Sequence, residues 1–176
     1  MSGLYSKHVV FEQYTLDGSN GSGASGLVWD SNNVNDYQNS TMRSTHLPAV
    51  LLRYSSELQA QLENTSYQVC KSGNDGTLVT LSDKLFLPAT KELSTSPSYS
   101  RTEENNALTT FQYYQTHNTQ ADRIKYKNGD LTSASYYWTR SPYSGNADSV
   151  VRVINSGNFS GSGAVNTYGV SPCFAW

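Results

Sequence analysis

The chain has 176 residues, a net charge of −2 and a mean hydropathy of −0.55, enough for one domain with a sizeable core. Its 13 Tyr, 5 Phe and 3 Trp argue against disorder, which is poor in aromatics. Sparse, nearly balanced charge with no Lys/Arg cluster argues against nucleic-acid or anionic-membrane partners, and no apolar run approaches the roughly 18 residues of a spanning helix.

The amino terminus lacks the charged-then-apolar pattern of a signal peptide. Residues 8–16 are rich in β-branched and aromatic types and predict a strand. Residues 17–26, Asp-Gly-Ser-Asn-Gly-Ser-Gly-Ala-Ser-Gly, predict an exposed loop, without the Gly-Lys-Ser/Thr ending of a phosphate cradle. Leu27-Val28-Trp29 predicts a second short strand. From 40 to 62 the pattern turns helical. Ser40 caps a first short helix, Pro48 suits the first turn of a second, and Ser55 or Ser56 restarts it. Leu47, Val50, Leu51, Tyr54, Leu58 and Leu62 recur mostly three or four apart and mark one buried face. His46 has no second ligand candidate nearby and reads as structural or exposed.

Gly73 to Gly76 reads as a turn, residues 78–81 as half of a hairpin, and Lys84-Leu85-Phe86-Leu87-Pro88 as a buried strand. One helical turn follows at 90–93, then a loop over 94–106 and a helix over 107–115. Glu103 and Glu104 fall near that helix's start, where its dipole favours them; no His or nucleophile accompanies them as an acid/base pair. A short helix or turn is expected over 120–126 and a reverse turn at Asn128-Gly129-Asp130. Three strands are then expected, at 136–140, 150–154 and 170–174. Alternation in the middle one sets Val151 and Val153 on one face, Arg152 and Ile154 on the other. The fold class is α+β: short helices in the first two thirds, and a small antiparallel sheet joining N- and C-terminal strands. Residues 1–176 form a single domain.

Cys70 and Cys173 are far apart in sequence and in no metal-ligand spacing, so they read as structural thiols. Asp122, Asp130 and Asp148 are scattered, whereas calcium needs several converging oxygens. No cofactor is expected.

The segment 143–168 stands apart, because 16 of its 26 residues are Asn, Ser, Gly, Asp or Tyr, too polar to build a core of its own. Held at both ends, it presents short polar and aromatic groups to a partner.

Several short motifs in order carry a resemblance: Lys84-Leu85-Phe86-Leu87-Pro88 with Glu92-Leu93, Tyr137-Trp138-Thr139-Arg140-Ser141-Pro142, and Gly169-Val170-Ser171-Pro172-Cys173-Phe174. With Met42-Arg43 and the helix after it, they resemble, over about residues 37–176, a domain family common in phage and Firmicutes proteins. That family has a W-W-L-R-S-P … V-N-x-x-G … G-V-R-P pattern. The resemblance implies a C-type-lectin-like fold of the branch similar to formylglycine-generating enzymes. Ser171 stands where the pattern has Arg, which leaves any salt bridge there in doubt.

Residues 144–169 also resemble a variable region written by a diversity-generating retroelement, which mutates template adenines and so scatters Asn codons. Asp148, Ser149, Arg152, Ile154, Ser160, Gly161, Ser162, Gly163, Val165 and Tyr168 stand at Asn positions of such templates. Each is reachable from an Asn codon by adenine changes alone. Asn146, Asn155, Asn158 and Asn166 are unmutated, and Val150, Val153, Gly157, Phe159, Ala164 and Gly169 form the fixed scaffold. Turn chemistry alone accounts for the Asn, Ser and Gly but does not choose Arg, Ile, Val and Tyr.

The implied ligand-binding surface comprises Tyr136 at its edge, Tyr143, Asn146, Asp148, Ser149, Arg152, Ile154, Asn155, Asn158, Ser160, Ser162, Val165, Asn166 and Tyr168, with Trp138, Val153 and Phe174 in the core. Such a mixture works like an antibody paratope. The resemblance implies a phage receptor-binding tail protein with a bacterial cell-surface protein or glycan as ligand, located on the virion. A variable adhesin on a bacterial surface is the alternative. An oxidase similar to formylglycine-generating enzymes is the least favoured reading, since it needs Cys70 and Cys173 to meet in an exposed site. A homo-oligomer is left open, because no coiled-coil stalk is encoded.

Overall fold

The computed structural model of the chain describes residues 9–11, 14–15, 26–127 and 130–176. The apolar run at 8–16, expected as one strand, holds two: β1 (Val9–Phe11) and β2 (Tyr14–Thr15). Apart from Gly26, the expected loop at 17–26 lies outside the described residues, as do Asn128 and Gly129 of the expected turn. β3 (Leu27–Val28) leads to a 3-10 turn at Tyr37–Asn39, capped by the Asp36 carboxylate on the Gln38 N–H.

Ser40 caps the next turn by accepting from Arg43 N–H at 3.2 Å. That turn, Met42–His46, is π-helical and runs straight into α1 (Leu47–Leu51), so the two helices expected here are continuous. Pro48 brings no N–H to the ladder, and the wider turn before it closes instead through Leu47 N–H to the Met42 carbonyl. α2 (Ser56–Gln61) restarts with Ser55 Oγ capping Leu58 N–H.

β4 (Thr65–Cys70) and β5 (Leu78–Asp83) make the next hairpin. The apolar run 84–88 is not a strand, contrary to expectation. Only Phe86 bridges to Cys173, while Leu85, Phe86 and Leu87 are buried. α3 (Thr90–Leu93) is a single turn. The helix expected over 107–115 is instead two, α4 (Thr102–Ala107) and α5 (Gln112–Thr116). Between them Phe111 N–H donates to the Glu92 carbonyl at 2.9 Å and the Thr110 hydroxyl to the Ser94 carbonyl at 3.2 Å. The Phe111 bond takes an N–H that a continuous helix would have used.

After a 3-10 turn at Ala121–Arg123 the chain is mostly strand: β6 (Lys125–Lys127), β7 (Asp130–Ser135), β8 (Tyr137–Pro142), β9 (Ser149–Val153), β10 (Phe159–Gly163), β11 (Thr167–Tyr168) and β12 (Cys173–Ala175). β1 pairs antiparallel with β12, so the first and last strands do share a sheet. β2 pairs parallel with β6, which pairs antiparallel with β7; β3 pairs with β11; and β10-β9-β8 form a three-stranded antiparallel sheet. The architecture is thus mixed α/β, with short helices and small, mainly antiparallel sheets.

The β8–β9–β10 sheet lies between two apolar clusters, as side-chain alternation demands. Trp138 and Val150 face the larger one, with Trp29, Tyr37, Met42, Tyr67 and Phe86. Tyr137, Val151, Val153 and Phe159 face the smaller one, with Leu93 and Tyr114. Trp138, Val153 and Phe174 are all buried.

Beneath the sheet is a buried polar network. Both Arg140 Nη groups reach the Glu92 carboxylate at 2.7 Å, and both side chains are fully buried. Arg140 also donates to the Leu87 and Gln68 carbonyls and lies over the Tyr67 ring, while Glu92 accepts from Ala89 N–H. A fork this well satisfied recovers the desolvation of both charges. Glu104, read as a helix-dipole residue, is also fully buried. It accepts from Cys70 N–H and from the Ser141 hydroxyl. Burial pushes the Glu104 carboxyl up, and the neighbouring Arg140 only partly offsets that.

Two outcomes follow. Arg140→Ala takes the guanidinium from the buried Glu92 carboxylate and lowers unfolding stability by about 3–5 kcal/mol, read from the urea midpoint. Glu104 has a folded pKa above its ordinary 4.5, so its contribution is complete below that value and is lost as pH rises through the folded pKa. Stability therefore declines as pH rises above 4.5 through the folded pKa, and Glu104→Gln flattens that decline; an unchanged slope in the variant would refute the assignment.

Candidate ligand-binding surface

The segment from Ser144 to Gly169 is fastened to the rest of the chain largely through main-chain atoms. Asn35, fully buried, donates from Nδ2 to the carbonyls of Asn146 (2.8 Å) and Ser149 (2.7 Å), and its N–H donates to the Ala147 carbonyl. Ser144 N–H donates to the Tyr99 carbonyl and Gly145 N–H to that of Gly73. The N–H groups of Trp29 and Asp30 share the Ala164 carbonyl at 3.0 Å, and Arg123 Nε holds the Gly157 carbonyl at 2.9 Å. Trp138 N–H donates to the Gly169 carbonyl, and Gly169 N–H to that of Tyr136. Asp30 in turn is held by its carboxylate, which accepts from Thr41 N–H, Asn32 N–H and Val34 N–H.

Burial divides the segment residue by residue. Val150, Val153, Gly157, Phe159, Ala164 and Gly169 are buried. Asp148, Asn155, Val165 and Asn166 are exposed, and Tyr143, Asn146, Ser149, Arg152, Ile154, Asn158, Ser160, Gly161, Ser162, Gly163 and Tyr168 are partly so. Gly157 is required by its backbone: φ is +81°, and a Cβ there would lie 1.8 Å from the Gln120 carbonyl oxygen.

The named surface residues form patches rather than one site. On the open continuation of the Trp138/Val150 face, Arg152 lies opposite Ser160 across the β9–β10 pairing. Its guanidinium carbon is 4.3 Å from the Tyr168 ring centre and 5.0 Å from that of Tyr136. The Tyr168 ring stands edge-on to buried Trp138 at 4.8 Å, and its hydroxyl lies 3.2 Å from Ser162 Oγ. Asn166 Nδ2 donates to the same Ser162 oxygen at 2.9 Å. Core, aromatic layer and polar surface are thus stacked in order, and alternation sets Ile154 on this face too.

Tyr143 lies elsewhere, against the smaller cluster on the opposite face. A Cβ at Gly161 would come within 2.6 Å of the Tyr143 ring, so any larger residue at 161 must displace it. Ser149 alternates onto this face and bonds Asp148. Asn155 and Asn158 sit at the β9–β10 hairpin, whereas Val165 meets Asn33 at the other end of the sheet. Asn146 turns its Oδ1 onto the N–H groups of Asp148 and Ser149, so it shapes the β8–β9 turn more than it faces outward.

Tyr99 was missed by sequence reasoning. It is 47 % exposed, stacks on Tyr143 with ring centres 5.4 Å apart, and holds φ +70°, a conformation a bulky side chain rarely adopts. Its only sequence signal was a Tyr in a Ser-rich loop. The anchors Asp30 and Asn35 were missed as well, since they lie far away in sequence.

Both cysteines are buried and neither is in a disulfide. Burial, reinforced by the Glu104 charge, pushes the Cys70 thiol up to about 12, the reverse of a reactive thiolate. Among the described residues no group of three His, Cys, Asp or Glu could hold a metal, and no helix is long and apolar enough to cross a membrane.

The chain belongs to the family described as a domain of unknown function, DUF6273, which it matches over residues 7–175. No curated protein and no solved structure matches it.

Proposed function

We propose that this chain is a ligand-binding module of C-type-lectin-like fold whose ligand-binding surface, over about residues 136–169, is diversified by a retroelement. It serves as a receptor-binding protein at a phage tail, contacting a protein or glycan on a bacterial cell surface. The observation that carries the reading is the burial division within the segment. All ten residues at adenine-reachable Asn positions are at least partly exposed, and all six intervening scaffold positions are buried. Main-chain fastening supports it further, because side chains can be exchanged without breaking the bonds that position the backbone. The joined first and last strands, short helices and small sheets are compatible with the lectin-like arrangement. Tyr, Ser, Asn and Gly around a single Arg supply the contact chemistry of a paratope.

Returning Asp148, Arg152 and Val165 to Asn should change stability by no more than about 0.5 kcal/mol per site, whereas Val153→Ala should cost about 2 kcal/mol through lost burial and a cavity. Fluorescently labelled protein carrying the three exchanges should lose binding to host bacterial cells at unchanged melting temperature. Undiminished cell binding would contradict the proposal.

A further inference from the structure

We infer that Arg152 is the recognition point of this surface for an acidic saccharide, its guanidinium seating a sugar carboxylate. The inference rests on the binding-module reading and names the ligand class for this variant of the surface. Arg152 is only partly buried, yet no carboxylate pairs with it among the described residues; the ion pairs seen there use Arg43, Lys71, Arg101 and Arg140. Its Nε is closed off from solvent with no hydrogen-bond partner. The guanidinium instead rests against two tilted Tyr rings, 136 and 168, whose centres are 5.7 Å apart. Cation–π contact fixes the group without neutralising it.

A guanidinium held this way, with charge uncompensated and its two Nη groups left for recognition, suits an end-on pair of oxyanion contacts. One positive charge matches one carboxylate. The groups around it are neutral and short: Ser160 across the strand pair, and the Ser162 hydroxyl shared by Tyr168 and Asn166. Hydroxyl and amide groups beside aromatic rings complement the hydroxyls and C–H face of a sugar.

The test is a nuclear magnetic resonance titration of the whole chain, following the Arg152 Nε–H resonance. D-glucuronate and N-acetylneuraminate are the probes, with D-glucose and N-acetylaspartate as controls. Either acidic sugar should shift the resonance saturably. R152Q should weaken that binding about tenfold or more, the loss of one charge-assisted hydrogen bond, and R152K, which keeps the charge but loses the fork, should fall between. No saturable shift with either acidic sugar, equal affinity for glucose, or unchanged affinity in R152Q would overturn the inference. N-acetylaspartate binding as tightly as the sugars would overturn the saccharide assignment. If the titration fails while the chain still binds host cells through the same face, the ligand class is wrong and the binding module stands.

Discussion

The main-chain fastening of residues 144–169 is the constraint on which the rest of the molecule depends. Buried Asn35 holds three carbonyls of the β8–β9 turn, and Trp29 and Asp30 hold the Ala164 carbonyl. A turn clasped by its carbonyls keeps its path whatever side chains it carries. The apolar residues that must not change are buried on both faces of the same strands, interspersed with open positions, so one short segment carries fixed and exchangeable side chains together. The exceptions are informative: Asn146 closes its own turn with its side chain, and Gly161 leaves room for the Tyr143 ring. Exchange there would disturb the surface geometry as well as its chemistry.

The clasp is itself tied to the core. Trp29 donates from its indole to the Thr139 carbonyl, and Trp138 from its indole to the Leu27 carbonyl, so β3 and β8 are cross-linked by two buried indoles. Two positions along from Trp138, Arg140 crosses to Glu92 and to the carbonyls of Leu87 and Gln68. Short elements that could not bury enough surface separately are thereby joined by a few specific polar bonds. Surface chemistry is decoupled from this network because Arg152 and Arg140 lie on different parts of the β8–β9 pair and meet different aromatic groups: Tyr136 and Tyr168 for one, Tyr67 and Phe86 for the other.

Much of this was legible in the sequence where side-chain period and cap chemistry act locally. The alternation of residues 150–154 placed Val151 and Val153 inward and Arg152 outward, and the helical spacing of Leu47, Val50 and Leu62 marked a buried face. Where tertiary bonds override local preference, the reading failed. The run 84–88 looks like a strand but is packed loop, since only Phe86 forms a β-bridge. The helix expected over 107–115 is broken because Phe111 bonds back to Glu92. β10, Phe-Ser-Gly-Ser-Gly, has almost no strand propensity and is a strand because β9 templates it. Glu104 read as a helix-dipole carboxylate, since nothing in sequence shows that Cys70 and Ser141 would receive it. The surface residues were named together from the resemblance, but pleating sends Tyr143 and Arg152 to opposite faces, which a linear pattern alone does not reveal.

The most direct measurement is deep sequencing of the gene's 3′ end and flanking DNA across a population carrying it. Diversification predicts substitutions confined to adenine-derived positions among codons 146 to 168, sparing the buried Val150, Val153, Gly157, Phe159 and Ala164, with a near-copy template beside a reverse-transcriptase gene. An invariant segment with no template would contradict it and leave the Asn, Ser and Gly as turn residues of a fixed surface.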